Sequence, residues 1–186
     1  MGVFTPASDS SIRQADTMTA RTLVLLRHAK AETPGDKPDY ARELTDRGLR
    51  DAGAAGGWLA DENLYPELVI CSAATRARQT WHGVALALSQ AVPGHAAPEV
   101  RYEQALYDGG RTEVIDLLRT VSDDVTAVLV VGHNPTMSDV SMLLRPDDAD
   151  WDGLKTAGLA VHRTEGSWSD TEPGSLPFVA DHTARG

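Results

Sequence analysis

The chain has one cysteine, Cys71, and far fewer basic than acidic residues: 17 Lys and Arg against 27 Asp and Glu, a formal net charge of −10 over 186 residues. One cysteine excludes an intramolecular disulfide and a cysteine-rich zinc cluster. The acidic balance opposes general nucleic-acid binding, which needs a basic face to displace counterions. It leaves anionic ligands possible, because a few arginines make a local positive well inside an acidic protein. No apolar run approaches the roughly 18 residues of a membrane span, and no secretory apolar region appears near the start. The opening MGVFTP departs from the myristoylation pattern at Pro6. These absences together predict a cytoplasmic protein without a membrane partner.

What is present is ordinary globular composition, 41% hydrophobic and 24% charged, enough for one domain with a sizeable core. Residues 1–20 are polar, small and aperiodic, so a disordered leader is expected there, with Met18 as an alternative natural start. The segment 164–186, rich in Gly, Pro, Ser and Asp, is expected to be a loosely ordered tail. The domain proper is placed at 21–163.

Within it, strand and helix patterns alternate. Thr22 to Leu26 is a continuous apolar run, as for a strand covered on both faces. Ala31 to Arg42, punctuated by Pro34, Gly35 and Pro38, is loop. Thr45 caps a helix running to about Asp61, with Leu44 and Leu49 spaced as a hydrophobic staple. Its four glycines, Gly48, Gly53, Gly56 and Gly57, predict close packing against a sheet. Strands follow at Leu68–Cys71, Ala127–Val131 and Leu159–His162, and helices at Thr75–Ser89, Glu113–Val121 and from Pro135 to Leu144. The irregular stretches are 31–42 and 91–110, neither long enough for a lid. Interleaving of this kind predicts an α/β/α sandwich around a mostly parallel sheet.

Ligands in open α/β sheets bind beyond the carboxyl ends of the strands. Here the first strand ends in Arg27-His28-Ala29, the second in Ser72 to Thr80 (SAATRARQT), and the third in Gly132-His133-Asn134-Pro135. Parallel strands bring these ends to one edge. Arginines facing one point repel unless an anion lies between them, and guanidinium forks match phosphate oxygens. Helix N-termini just beyond Ala74 and His133 add dipole of the right sign. A neutral imidazole there is a nucleophile toward phosphorus, and a second, protonated one would stabilise equatorial charge.

RHA at a strand end, S-x-x-x-R-A-x-Q-T, a later V-G-H-N-P, and R-E-L-T-D-R-G at Arg42–Gly48 resemble the histidine phosphatase superfamily, nearest its short branch typified by phosphohistidine phosphatase SixA. The likeness spans about 22–161. It implies a three-layer, phosphoglycerate mutase-like α/β/α sandwich and a phosphatase needing neither metal nor cofactor. His28 would be the phosphorylated nucleophile, with Arg27, Arg76 and His133 holding the phosphoryl oxygens. Asn134 and Ala29 are expected to line the substrate site. Ala29 departs from the usual glycine and requires only that φ there not be positive. The proton donor stays open between Glu103, Asp108 and water. Arg78 is assigned to the surface, as are His82, His95, His162 and His182 to surface or loop.

Other chemistries fit poorly. A cysteine-phosphatase loop needs five residues between Cys and Arg, and Cys71 to Arg76 encloses four. No H-E-x-x-H and no Walker loop occurs, and Cys71 reads as a buried strand residue. Within the phosphoryl chemistry three functions remain: dephosphorylation of protein phosphohistidine, dephosphorylation of small phosphomonoesters or nucleotides, and a non-catalytic phosphate-binding regulatory module. The corresponding partner is a phosphorylated protein or a small phosphorylated ligand.

Overall fold

Side chains along β1 (Arg21–Arg27) alternate between two separate cores. Val24 and Leu26 face one, Leu23 and Leu25 the other, which is the period-two consequence of an extended backbone covered on both sides. The computed structural model describes residues 20–145 and 151–186; Met18 and the rest of the expected leader before Ala20 lie outside them.

The sheet has six strands in the order β3-β2-β4-β1-β5-β6. The first four of that order, β3 (Glu99–Glu103), β2 (Leu68–Ser72), β4 (Ala127–Gly132) and β1, are mutually parallel. β5 (Gly158–Thr164) and β6 (Phe178–Thr183) complete the sheet antiparallel. One face carries α1 (Asp46–Asp61) and α2 (Thr75–Ala91), whose Ala52, Ala55, Leu59, Ala77, Trp81 and Val84 close the first core. The other carries a short helix, α3 (Ala105–Asp108), with α4 (Arg111–Arg119) and α5 (Thr136–Leu144), around Leu118, Met137 and Leu144. This is the expected three-layer α/β/α sandwich with a mostly parallel sheet.

Local chemistry explains the elements that position the site. Thr45 caps α1 by accepting from Gly48 N at 3.1 Å, and its own hydroxyl donates to Lys30 O. Leu44 is buried but Leu49 is half exposed, so only one arm of the expected staple is covered. The glycines do not pack on the sheet as a group. A Cβ at Gly48 would meet the Lys30 carbonyl at 2.0 Å, and one at Gly56 would meet Val84 O of α2 at 2.6 Å, whereas Gly53 and Gly57 face open space. Their service is helix-to-loop and helix-to-helix approach.

Two expectations are corrected. The tail at 164–186 is tied down: Trp168 is fully buried, its indole N–H donates to Val125 O at 2.7 Å, and β6 pairs with β5. Burying that indole contributes about 3 kcal/mol, more than a polar composition suggests. The stretch 91–110 contains β3 and α3 rather than loop alone. Among the described residues, no helix is long and apolar enough to cross a membrane.

Candidate active site

The carboxyl ends of β1, β2 and β4 meet as their parallel pairing requires. Arg27 lies opposite Gly132, and His28 N extends that ladder by donating to Gly132 O at 2.9 Å. His133 follows Gly132 directly, and its ring centroid is 5.0 Å from that of His28. Arg76, in the first turn of α2, is buried and directs its Nε–H at His28 Nε2 across 3.3 Å. Segments some fifty and a hundred residues apart therefore share one edge of the sheet.

The hydrogen bonds fix the protonation of His28. Its Nδ1 lies 2.7 Å from Ala29 O, a carbonyl that can only accept, so Nδ1 carries the proton. Nε2 is then left with its lone pair facing the Arg76 donor. Burial lowers the His28 pKa to about 3; the Ala29 bond opposes this, while the charges of His133, Arg76 and Arg27 add to it. Burial, then Arg76, likewise lowers His133 to about 4. The expected protonated second imidazole is thus neutral in the free enzyme, because its setting is desolvated and faces arginines.

His133 Nε2 is 2.8 Å from Ser72 Oγ, which also accepts from Ala74 N at 3.3 Å. The serine oxygen has a second lone pair, so this bond runs either way with the His133 tautomer. The His133 Nδ1 is buried without a hydrogen-bond partner among the described residues, as is Arg27 Nε. Arg27 Nη1 is anchored on Leu154 O at 2.9 Å.

The rest of the second motif builds the frame. Thr80 Oγ1 donates to Arg76 O at 2.7 Å and accepts from Ala29 N at 3.0 Å. Gln79 Oε1 accepts from Leu44 N at 2.7 Å, joining α2 to the loop before α1. Ala29 is fully buried and spends its N–H on Thr80. Its backbone is ordinary, since the described non-glycine residues with positive φ are Asn63 and Ala157. Asn134 is likewise engaged, donating to Leu154 O at 2.8 Å and accepting from Ser138. It supports the carbonyl that holds Arg27.

One residue went unmarked in the sequence. Asp39, in a short 3-10 helix at Asp39–Ala41, receives Arg76 Nη1 on its carbonyl at 2.7 Å and Nη2 on Oδ2 at 3.0 Å. Arg42 Nη2 reaches Oδ1 at 2.7 Å, and Tyr107 donates to Oδ2 at 2.9 Å. Burial alone would raise its pKa, but the bonds from Tyr107 and Arg42 and the arginine charges outweigh that and hold it at about 2. Nothing in a loop of turn-forming residues distinguishes such a carboxylate before the fold is known.

Of the two expected acids, Asp108 is exposed and accepts from Gln104 at 2.7 Å. Glu103 ends β3 opposite Ser72, and its carboxylate makes no hydrogen bond or ion pair with the described residues. Arg78, His82 and His95 are exposed as expected. His162 is a correction: it is fully buried on β5 between Ser141 Oγ (2.9 Å) and Leu176 O (3.0 Å), where its flanking bonds satisfy both ring nitrogens. Cys71 is buried, and desolvation pushes its thiol up to about 12, so it is inert.

With this geometry in view, the likeness to known proteins is specific. Residues 23–101 match the model of the histidine phosphatase superfamily, branch 1. The uncharacterized protein Rv1276c of Mycobacterium tuberculosis is 40% identical over 168 residues, covering 86% of this chain and all of that protein. A structure of a candidate phosphohistidine phosphatase SixA from Nakamurella multipartitia superposes with a TM-score of 0.74 at 34% identity, covering 89% of this chain and 96% of the other. Another from Agrobacterium tumefaciens gives 0.71 at 26%, covering 87% and 97%. The chain belongs to the histidine phosphatase superfamily, on its SixA-like side. It is therefore a phosphatase.

Proposed function

We propose that the enzyme removes the phosphoryl group from a protein phosphohistidine by way of phosphorylated His28. The observation that carries this reading is the locked tautomer: Nδ1–H on Ala29 O and the bare Nε2 lone pair aimed into the site beside Arg76. Deprotonation is not needed before attack, because burial keeps this imidazole neutral well below neutral pH.

In the first step the Nε2 lone pair forms an N–P bond as the bond from phosphorus to the leaving imidazole breaks. The leaving nitrogen keeps the bonding pair and takes a proton from Glu103 or water. Arg27, Arg76 and His133 hold the equatorial oxygens; the buried Arg27 Nε supplies a donor without a partner among the described residues, and His133 Nδ1 supplies another once that ring is protonated. In the second step a water oxygen bonds to phosphorus and the pair returns to Nε2. The water proton passes to solvent and orthophosphate leaves. As the dianion enters, the neutral His133 of the free enzyme gains a reason to take up a proton.

The substrate class follows from the weakness of the acid. Asp39 is held ionised, Asp108 is turned to Gln104, and the Glu103 carboxylate bonds to none of the described residues. A phosphomonoester leaves as an alkoxide and needs a well-placed donor, whereas the P–N bond of phosphohistidine breaks once its imidazole is protonated. The two superposed structures at 34% and 26% identity bear the same activity in their names. An acidic chain with one buried, inert thiol suits the cytoplasm. The test compares kcat/KM on a phosphohistidine peptide with a panel of sugar phosphates and nucleotides. The peptide should be preferred by roughly 100-fold or more. A small monoester turned over faster would assign the enzyme to metabolite dephosphorylation instead.

A further inference from the structure

Arg76 is 5% exposed, and a guanidinium so buried requires an anion beside it. In the free enzyme that anion is the Asp39 carboxylate. The geometry points to a specific consequence: we infer that Asp39 is a self-ligand of the phosphoryl site, occupying the Arg76 fork between turnovers and yielding it to the incoming phosphoryl oxygen. The inference rests on the reading of this pocket given above.

One guanidinium brings the two anions together. Nε–H and one N–H of Nη2 project from the same edge of the planar guanidinium. Nε is aimed at His28 Nε2, and Nη2 is bonded to Asp39 Oδ2 at 3.0 Å. A phosphoryl group joined to Nε2 presents its oxygens to that same edge, where a bidentate pair is strongest. Asp39 also holds Nη1 on its carbonyl at 2.7 Å, so carboxylate and phosphoryl oxygens of like charge then crowd one guanidinium. Asp39 can leave without being stranded. Its Oδ1 stays with Arg42 Nε and Nη2 at 2.8 and 2.7 Å, and its side chain is about half exposed. A carboxylate in this place keeps Arg76 ordered when no substrate is bound and weakens the hold on product phosphate, which favours release.

Inorganic phosphate titrated by calorimetry into the wild type, Asp39→Asn, Tyr107→Phe and Glu43→Gln tests this directly. Asp39→Asn should bind phosphate about fivefold more tightly, the scale of a half-exposed ion pair. Tyr107→Phe, which removes one donor holding Oδ2, should move the same way by less. Glu43 belongs to the same loop but pairs with Lys37 at 3.0 Å, so Glu43→Gln should leave the affinity unchanged. Equal or weaker phosphate binding by Asp39→Asn overturns the inference, as does an equal gain in Glu43→Gln, which would reduce the effect to overall charge. Should the wild type and all variants bind no phosphate, the pocket reading falls with it; binding without an Asp39 effect sinks the self-ligand alone.

Discussion

Arg76 and His28 lie 48 residues apart in sequence, yet the Nε–H of one is directed at the Nε2 lone pair of the other across 3.3 Å. A donor at that point keeps the nucleophile oriented and unprotonated, and it is already in place for the phosphoryl group that Nε2 attacks. Lysine carries the charge but not the fork. Arg76→Lys should therefore retain the fold by circular dichroism and lose roughly 100-fold in kcat/KM. Loss below threefold in steady-state assays would mean that the fork is not used.

Ser72 and His133 form the second relationship that the chemistry needs. Ser72→Ala leaves the buried Nε2 of His133 without a partner, so stability in urea should fall by about 1–2 kcal/mol. The freed ring also loses its orientation, so kcat should fall. An unchanged kcat would show that Ser72 only fills space.

Acid should destabilise the protein through its buried histidines. Burial lowers the folded-state pKa of His162 to about 4, whereas the unfolded chain takes up that proton near 6.5. Between those values the unfolded state binds more protons, so the stability is complete above pH 6.5 and declines as pH falls toward 4. The contribution of His162 is about 3 kcal/mol. His28 and His133 act with the same sign. Denaturation at a series of pH values should show a shallower acid slope in His162→Gln, and an identical slope would remove His162 from this account.

Two glycines of α1 should respond in opposite directions. Gly48→Ala drives a methyl group into the Lys30 carbonyl and should cost about 3 kcal/mol. Gly53→Ala enters open space within the helix and should gain up to about 1 kcal/mol. Thermal melting of the pair distinguishes the sites, and equal shifts would contradict the close approach at Gly48.

The central strands could be read in the sequence because burial on both faces leaves unbroken apolar runs, as in Ala127–Gly132, and because the site residues sit at their ends. His28, Arg27, Arg76 and His133 were all within reach of that reasoning. β3, with the sequence EVRYE, was not: its charged and aromatic side chains are those of a sheet edge, and no apolar run marks it. β6 and Trp168 were hidden in a stretch whose composition resembles a tail, since one buried indole does not register in an average. Ser72, Gln79 and Thr80 stood in a recognised motif, but what they bond to is set by tertiary contacts with His133, Leu44 and Ala29. Asp39 had no periodic context at all.

The nucleophile is tested most directly by trapping the enzyme during turnover. Rapid quenching under alkaline conditions with a radiolabelled phosphoramidate, followed by peptide mapping, should place one phosphoryl group on His28, with no label and no turnover in a folded His28→Ala variant. Turnover by His28→Ala, or label on another residue, would contradict it.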